Sequence, residues 1–518
     1  MSTDYDILRQ PVLTVRLDDE GVLQHATLCE VLAWMSDDRT LSFAALQPHQ
    51  RHPWHAFLVQ LAAIGLERGE RTTPPTEPDA WEELLLLLTD GAREPWCLVV
   101  DALDQPALLQ PPVPEKTLDP LKNCARTPDA LDILLTTRNF DIKGQRAAAG
   151  LPEHWLFALV ARQTFEGFGG AGNYGIFRMN GGFGNRPCLA FAPSTRWSDR
   201  FRRDVTVWLE QRDTLVQEYR YDPAGTALLW TLPWDGTEPL SPRGLHPFFI
   251  EVCRRIRLQA TEHGVLARVG TSKKARIDAA ESAGDTGDIW TPVQASSKKD
   301  EGFAALTIAS AGFSYRKLHD LLFGDWKRPP ALRLRPSDGK TPVLVAMALA
   351  RGQGKTDGYH ERWIPVPPKA RRMLSEPDGQ ESLGIRSKLQ LERAAEASRT
   401  VLKPALCTLL QGVGELNFRD SRVQPWLDRL DARIDDRFFI VLFDSAPLGV
   451  DAARLQWDET LVQLLRETFE EALGEVPIPS VHRYRTMAGA EARFRAALRK
   501  SFPEIITPPP ATEERAHA

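Results

Sequence analysis

Cysteine is scarce in this chain, and its six copies stand apart. Cys29, Cys97, Cys124, Cys188, Cys253 and Cys407 form no CxxC pair and have no histidine at metal-ligand spacing, so neither a structural zinc nor a disulfide framework is expected. Long apolar runs are missing too. Stretches such as Leu84–Leu88 and Phe438–Phe443 are far too short to cross a bilayer. The opening MSTDYDILRQ lacks the charged-then-apolar design of a secretory signal, so a cytoplasmic location and no membrane partner are expected. There is no excess of positive charge: the formal net charge is -5. The field of the whole chain therefore does not attract nucleic acid, and any such binding must come from local basic patches or from partners. Catalytic signatures are lacking as well. No GxSxG, HExxH or kinase set occurs, and paired acids such as Glu82-Glu83 and Asp435-Asp436 read as solvated faces. The expectation is a protein without catalytic residues, metal or cofactor, and not an enzyme.

What is present is a chain of 518 residues, 42% hydrophobic and 26% charged, a composition that suits two to four globular domains. Residues 1–150 mix alternating runs (Val12–Leu17, Cys97–Asp101) with apolar helical segments (Leu28–Met35, Ala56–Glu67) and Pro-rich turns, an α+β texture. Strand-like runs follow at Leu228–Leu232, Phe303–Ile308 and Pro342–Leu349, broken by a long polar loop from Ser272 to Val293. Loops of that length are more often functional than idle. After Pro365–Pro368 the texture changes to amphipathic helices over 383–413, 422–445, 451–473 and 486–501, where Leu455, Leu461, Val462, Leu465, Phe469 and Leu473 keep helical spacing. The predicted fold class is α+β: a large mixed domain over 1–370, a four-helix bundle over 371–506 and a disordered tail over 507–518.

Two glycine motifs invite a nucleotide reading. Eight glycines crowd the stretch from Gly167 to Gly184, and Gly170–Gly175 matches GxGxxG. That fingerprint works only between a strand and a helix, whereas here a helical pattern precedes it and another Gly-rich turn follows. Glycine also lets backbone approach a ligand closely. With Arg162, Arg178, Arg186, Arg196, Arg200, Arg202 and Arg203 nearby in sequence, the loop could set bare N–H groups against a DNA groove. The turn Gly352–Thr356 ends in GKT, but Leu349 stands where a P-loop needs glycine and no helix pattern follows. A nucleotide-binding enzyme using either motif is the alternative reading. His49, His52 and His55 read as solvated or N-capping histidines, because Pro53 interrupts them and no acidic partner is near in sequence.

Several segments in order resemble the CasA family, the large subunit of the type I-E CRISPR Cascade surveillance complex. They are LDILLTTRNFDIKGQ (131–145), EGFGGAGNYGIFRMNGGFGNRP (166–187), SPRGLHPFFIEVCRRIRL (241–258), TSKKARIDA through GDIWTPV (271–293) and RGQGKTDGYHERWIPV (351–366). The resemblance spans most of the chain. It departs from the family at a Cys-rich zinc knuckle found in some members, near which only Cys253 remains here, so zinc is not implied. It does imply recognition of the protospacer-adjacent motif in double-stranded DNA as part of antiviral defence. The other implied partners are a guide CRISPR RNA, the remaining Cascade subunits and a separate helicase-nuclease effector. By the same resemblance, Gly167, Phe168, Gly169 and Gly170 form the glycine loop, and Lys273 or Lys274 supplies a minor-groove lysine. Gln353, with Lys355 second, tips a hairpin that wedges the strands apart. Asn139, Phe140, Asp141, Ile142 and Lys143 would meet the guide handle or neighbouring subunits. A tolerant motif read from the minor groove needs little more than bare backbone and one cation, since guide pairing carries the remaining specificity.

Overall fold

The computed structural model describes residues 4–17, 21–134, 150–179, 182, 184–262, 264–296, 302–352 and 355–506; of Glu281 and Lys355 only the backbone is described. These fall into two compact units. One gathers the residues up to Phe313 with Asp325–Trp363, and the other gathers Ser314–Gly324 with the residues from Ile364 onward.

At the centre of the first unit runs the helix Arg51–Arg68, buried at every position from His52 to Leu66. A helix apolar on all sides belongs inside a core. The helices Pro78–Leu87, Pro152–Thr164 and Trp197–Gln217 pack around it, with Trp54, Trp81, Trp155 and Trp208 fully enclosed. Pro53 does not break this helix. It occupies the first turn, where a missing N–H costs nothing, so His52 and His55 are helical rather than solvated. His49 and His55 are buried, with Nε2 2.6 Å from Asp132 and 2.9 Å from Asp204. Both acids come from distant sequence, which corrects the expectation of exposed histidines without acidic partners.

The strands form small sheets around this core. In chain order they are β1 (Leu13–Leu17), β2 (Leu23–Ala26), β3 (Leu41–Phe43), β4 (Asn123–Ala125), β5 (Cys188–Ala192), β6 (Thr226–Leu228), β7 (Leu245–Ile250), β8 (Arg255–Thr261), β9 (Gly264–Gly270), β10 (Val293–Ala295), β11 (Phe303–Ala305), β12 (Val343–Gly352) and β13 (Lys355–Pro365). The sheet orders are β2-β1-β3, β4-β9-β8, β13-β12-β5, β6-β7 and β10-β11. β12 is buried from Val343 to Ala350, as its unbroken apolar run VLVAMALA demands. Two expected strands differ. Cys97–Asp101 makes only an isolated bridge from Cys97 to Asp6. The run Leu228–Leu232 turns into a single 3-10 turn at Leu229–Thr231, where the buried Trp230 donates its indole N–H to the Pro95 carbonyl at 3.0 Å.

The second unit is helical. Pro377–Ala397 runs through a π turn at Ser398–Leu402 into Lys403–Gln411. The register shift lies beside Pro404, whose missing N–H cannot continue the regular ladder. Gln424–Asp444, Val450–Glu475 and Arg483–Ser501 complete the bundle. Leu461, Val462, Leu465 and Phe469 of the expected stripe are buried, and Phe469 stacks on Phe494 with ring centroids 4.2 Å apart. The short helix Tyr315–Phe323 joins this unit, its Tyr315 hydroxyl donating to Asp431 at 2.7 Å. The fold is α+β with a helical C-terminal region.

Candidate nucleic-acid interface

The glycine-rich stretch begins where the helix Pro152–Thr164 stops, and much of its glycine serves its own packing. A Cβ on Gly167 would meet the Gly184 carbonyl oxygen at 2.2 Å, and one on Gly175 would meet the Gly167 carbonyl carbon at 2.3 Å. Backbone crosses backbone there, so only glycine fits. The loop also consumes its own donors. Gly167 N–H donates to the Asn185 side chain at 3.2 Å, Phe168 N–H to the Gly182 carbonyl at 2.7 Å and Gly169 N–H to the Asn173 carbonyl at 2.8 Å. Bare backbone is left at the tip. Gly170 has φ +116°, and a Cβ there would meet nothing within 4 Å; Gly169 and Ala171 beside it are exposed.

Beneath the loop lies a buried carboxylate that the sequence reading left unassigned. Glu166 is 1% exposed and faces three guanidiniums: Arg162 at 3.0 Å, Arg254 at 2.7 Å and Arg351 at 2.7 Å. Burial pushes its carboxyl up, but the three cations outweigh that and hold it at about 2. Arg254 continues the network into the loop, donating to the carbonyls of Tyr174 and Gly167, the latter at 3.4 Å. The Glu166 carbonyl accepts from Ile176 N–H at 2.9 Å. Both ends of the glycine loop are thus tied to one residue.

The second lysine-bearing segment meets the loop directly. Ser272 N–H donates to the Gly172 carbonyl at 3.1 Å, and Gly172, at φ +79°, packs on Thr271. Lys273 and Lys274, both exposed, follow at once; their N–H groups turn toward the Gly236 carbonyl at 2.7 and 3.4 Å. The Lys274 ammonium lies 3.5 Å from the exposed Glu238 carboxylate. The third element is the hairpin of β12 and β13, and Arg351 at the end of β12 is what binds it to Glu166. Gly167, Phe168, Gly169 and Gly170, the Lys273–Lys274 segment and the hairpin base therefore cluster. Gln353 lies outside the described residues, between β12 and β13, and of Lys355 only the backbone in β13 is described. Asn139, Phe140, Asp141, Ile142 and Lys143 also lie outside the described residues.

The arginines expected to face DNA are committed elsewhere. Arg178 pairs with Glu251 at 2.9 Å, Arg186 with Asp288 at 2.5 Å and Arg203 with Asp338 at 2.6 Å, all six side chains buried. Arg200 is buried against the Trp363 ring at 5.0 Å. Arg196 and Arg202 pair with Asp38 at 3.2 and 2.6 Å, and Arg162 serves Glu166. Sequence crowding of arginine here thus marks side chains committed to buried or local carboxylates and rings rather than a free basic surface. The residues missed, Glu166, Arg254 and Arg351, all stand inside the motif segments quoted above. The only sequence signal for them is that each is a charge set within an apolar or glycine-rich run, where burial requires a partner.

The GKT motif leads into a strand: β12 ends at Gly352, and β13, its neighbour in the sheet, starts at Lys355. No helix N-terminus follows to receive a phosphate. Past Gly175 the GxGxxG stretch enters only a short 3-10 turn, Phe177–Met179. Among the described residues no group of three His, Cys, Asp or Glu side chains could hold a metal ion, and no helix is long and apolar enough to cross a membrane.

No protein-family model matches the chain, and no curated protein matches it. Solved structures do. CRISPR-associated protein Cse1 from Acidimicrobium ferrooxidans superposes with TM-score 0.64 at 16% identity, covering 98% of this chain and 99% of that one. Cse1 of Thermobifida fusca gives TM-score 0.65 at 16% identity, covering 97% and 98%. CasA (Cse1) of Thermus thermophilus gives 0.58 at 14% identity, covering 95% and 99%. The resemblance read from the sequence is borne out at the level of fold: over nearly its whole length this chain has the fold of the CasA, or Cse1, proteins.

Proposed function

We propose that this chain is the non-catalytic large subunit of a type I-E CRISPR RNA-guided surveillance complex. In this reading it recognises the protospacer-adjacent motif in double-stranded DNA, helps open the duplex and recruits a separate helicase-nuclease. The observation that carries the reading is the clustering of three sequence-distant elements, the glycine tip, the Lys273–Lys274 segment and the base of the β12–β13 hairpin, joined through Glu166 and the Ser272–Gly172 hydrogen bond. An open backbone tip beside two exposed lysines suits a minor groove, where little beyond A·T versus G·C is readable. A hairpin whose base lies beside it suits insertion between base steps, which repays unstacking through new contacts. The CasA fold and the ordered motifs support placing the chain in such a complex, with guide RNA, partner subunits and effector. The strand into which the GKT motif leads favours binding over nucleotide chemistry.

Gly170→Asp is the direct test. Nothing lies within 4 Å of its Cβ position, so the cost to folding is confined to backbone strain of about 1–3 kcal/mol. The carboxylate would stand where bare backbone meets phosphate and groove, repelling both. The expected result is loss of motif-dependent duplex binding by an assembled complex of normal composition. Unchanged target binding would remove the loop from the reading.

A further inference from the structure

We infer that the Glu166–Arg351 pair links motif reading to strand opening, with Arg351 a positioning residue for the β12–β13 hairpin. This rests on the function proposed above and deepens it. Glu166 does not need Arg351 for charge, since Arg162 at 3.0 Å and Arg254 at 2.7 Å already surround it. The cluster holds three guanidiniums to one carboxylate, and bringing in a third cation carries a desolvation cost that neutralising Glu166 does not require. What Arg351 adds is a location.

Its guanidinium stands 2.7 Å from a Glu166 oxygen, and Arg351 is the penultimate residue of β12, immediately before Gly352. On the other side Glu166 is contiguous with Gly167, accepts from Ile176 N–H at 2.9 Å and shares Arg254 with the Gly167 and Tyr174 carbonyls. A shift of the loop against DNA would therefore strain the contacts to Glu166, and a shift of Glu166 would strain its pair with the hairpin base. Ion-paired contacts of this kind can carry coupling between two sites, and Arg351 variants measure whether this one does. Arg351 touches neither the loop tip nor, in this reading, the bases, and acts through the hairpin.

The test uses the chain assembled with guide RNA and partner subunits, and duplexes with intact or altered motif, each fully paired or already opened beside it. For Arg351→Ala the expected result is unchanged motif discrimination on opened duplexes, with stable binding to the paired motif duplex slowed roughly tenfold. Arg351→Lys, which keeps a cation at the pair, should recover most of that rate. If alanine disturbs folding, seen as a lowered melting midpoint, Arg351→Gln carries the same comparison with a neutral side chain of similar reach. Slowing that the opened duplex does not relieve, or equal behaviour of the alanine and lysine variants, would overturn the link. Wild-type binding indifferent to the motif would instead overturn the proposed function, and the inference with it.

Discussion

His52 and His55 lie one turn apart on the central helix and are held neutral by their surroundings. Burial lowers His52 well below the ordinary histidine value, and the nearby Arg186 adds to it; burial and Arg200 lower His55 to about 4 against the pull of Asp204. Among the described residues the His52 ring nitrogens meet no hydrogen-bond partner, and the ring stands edge-on to Phe165 at 4.9 Å and Trp290 at 5.4 Å. An unfolded histidine takes its proton near 6.5. Below that the unfolded chain binds protons the folded chain refuses, so stability falls as pH drops from about 6.5 toward about 4, by up to about 1.4 kcal/mol per pH unit for each ring. Glu166, held at about 2 against an ordinary 4.5, contributes stability that is lost only as pH falls below 4.5 through about 2. Denaturant midpoints measured from about pH 7 to about pH 5 should therefore decline, and His52→Phe should shallow the decline. An unchanged slope in that variant would mean His52 is not a buried neutral ring. None of this was legible in HQRHPWH, because Asp132 and Asp204 lie 83 and 149 residues from their histidines.

At the scale of elements, the glycine loop divides into positions that fold it and positions that face outward. Gly175→Ala would drive a methyl into the Gly167 backbone, an overpacking expected to cost about 1–3 kcal/mol or more. Gly170→Ala meets open space and keeps only the cost of its positive φ. Calorimetry should show the larger fall in melting midpoint for Gly175→Ala; the reverse order would contradict the packing described here. The bundle helices were readable because each carries an apolar stripe at helical period, and β12 because its run is apolar throughout. The hairpin was expected from the CasA resemblance, and the apolar run Pro342–Leu349 before Gly352 and Gly354 agrees with it. Leu228–Leu232 was not readable: the strand β6 ends at Leu228, and the chain turns there with Trp230 buried and its indole N–H on the Pro95 carbonyl. Of the site, the glycine tip and the lysines were visible as motifs. The Glu166 cluster was not, because Arg351 lies 185 residues from its carboxylate.

At the scale of the whole molecule, charge distribution shapes the behaviour. The net charge is -5, and the arginines nearest the glycine loop in sequence are spent on buried or local carboxylates. In the proposed role the glycine loop therefore brings the exposed Lys273 and Lys274 to DNA rather than a broad arginine face, and partners supply the rest. Alone, it should bind duplex DNA weakly and lose that binding steeply with salt; in an assembled complex the motif should decide. The measurement that bears most directly on this is equilibrium binding by the guide-loaded complex, at physiological salt, to two duplexes that share the guide-matched sequence and differ only in the adjacent motif. Each unfavourable base pair typically costs about 1–3 kcal/mol, so the motif-bearing duplex should bind at least about tenfold more tightly, and Lys273→Ala with Lys274→Ala should narrow that gap. Equal affinity for the two duplexes, with the complex intact, would contradict the proposal that this chain reads DNA.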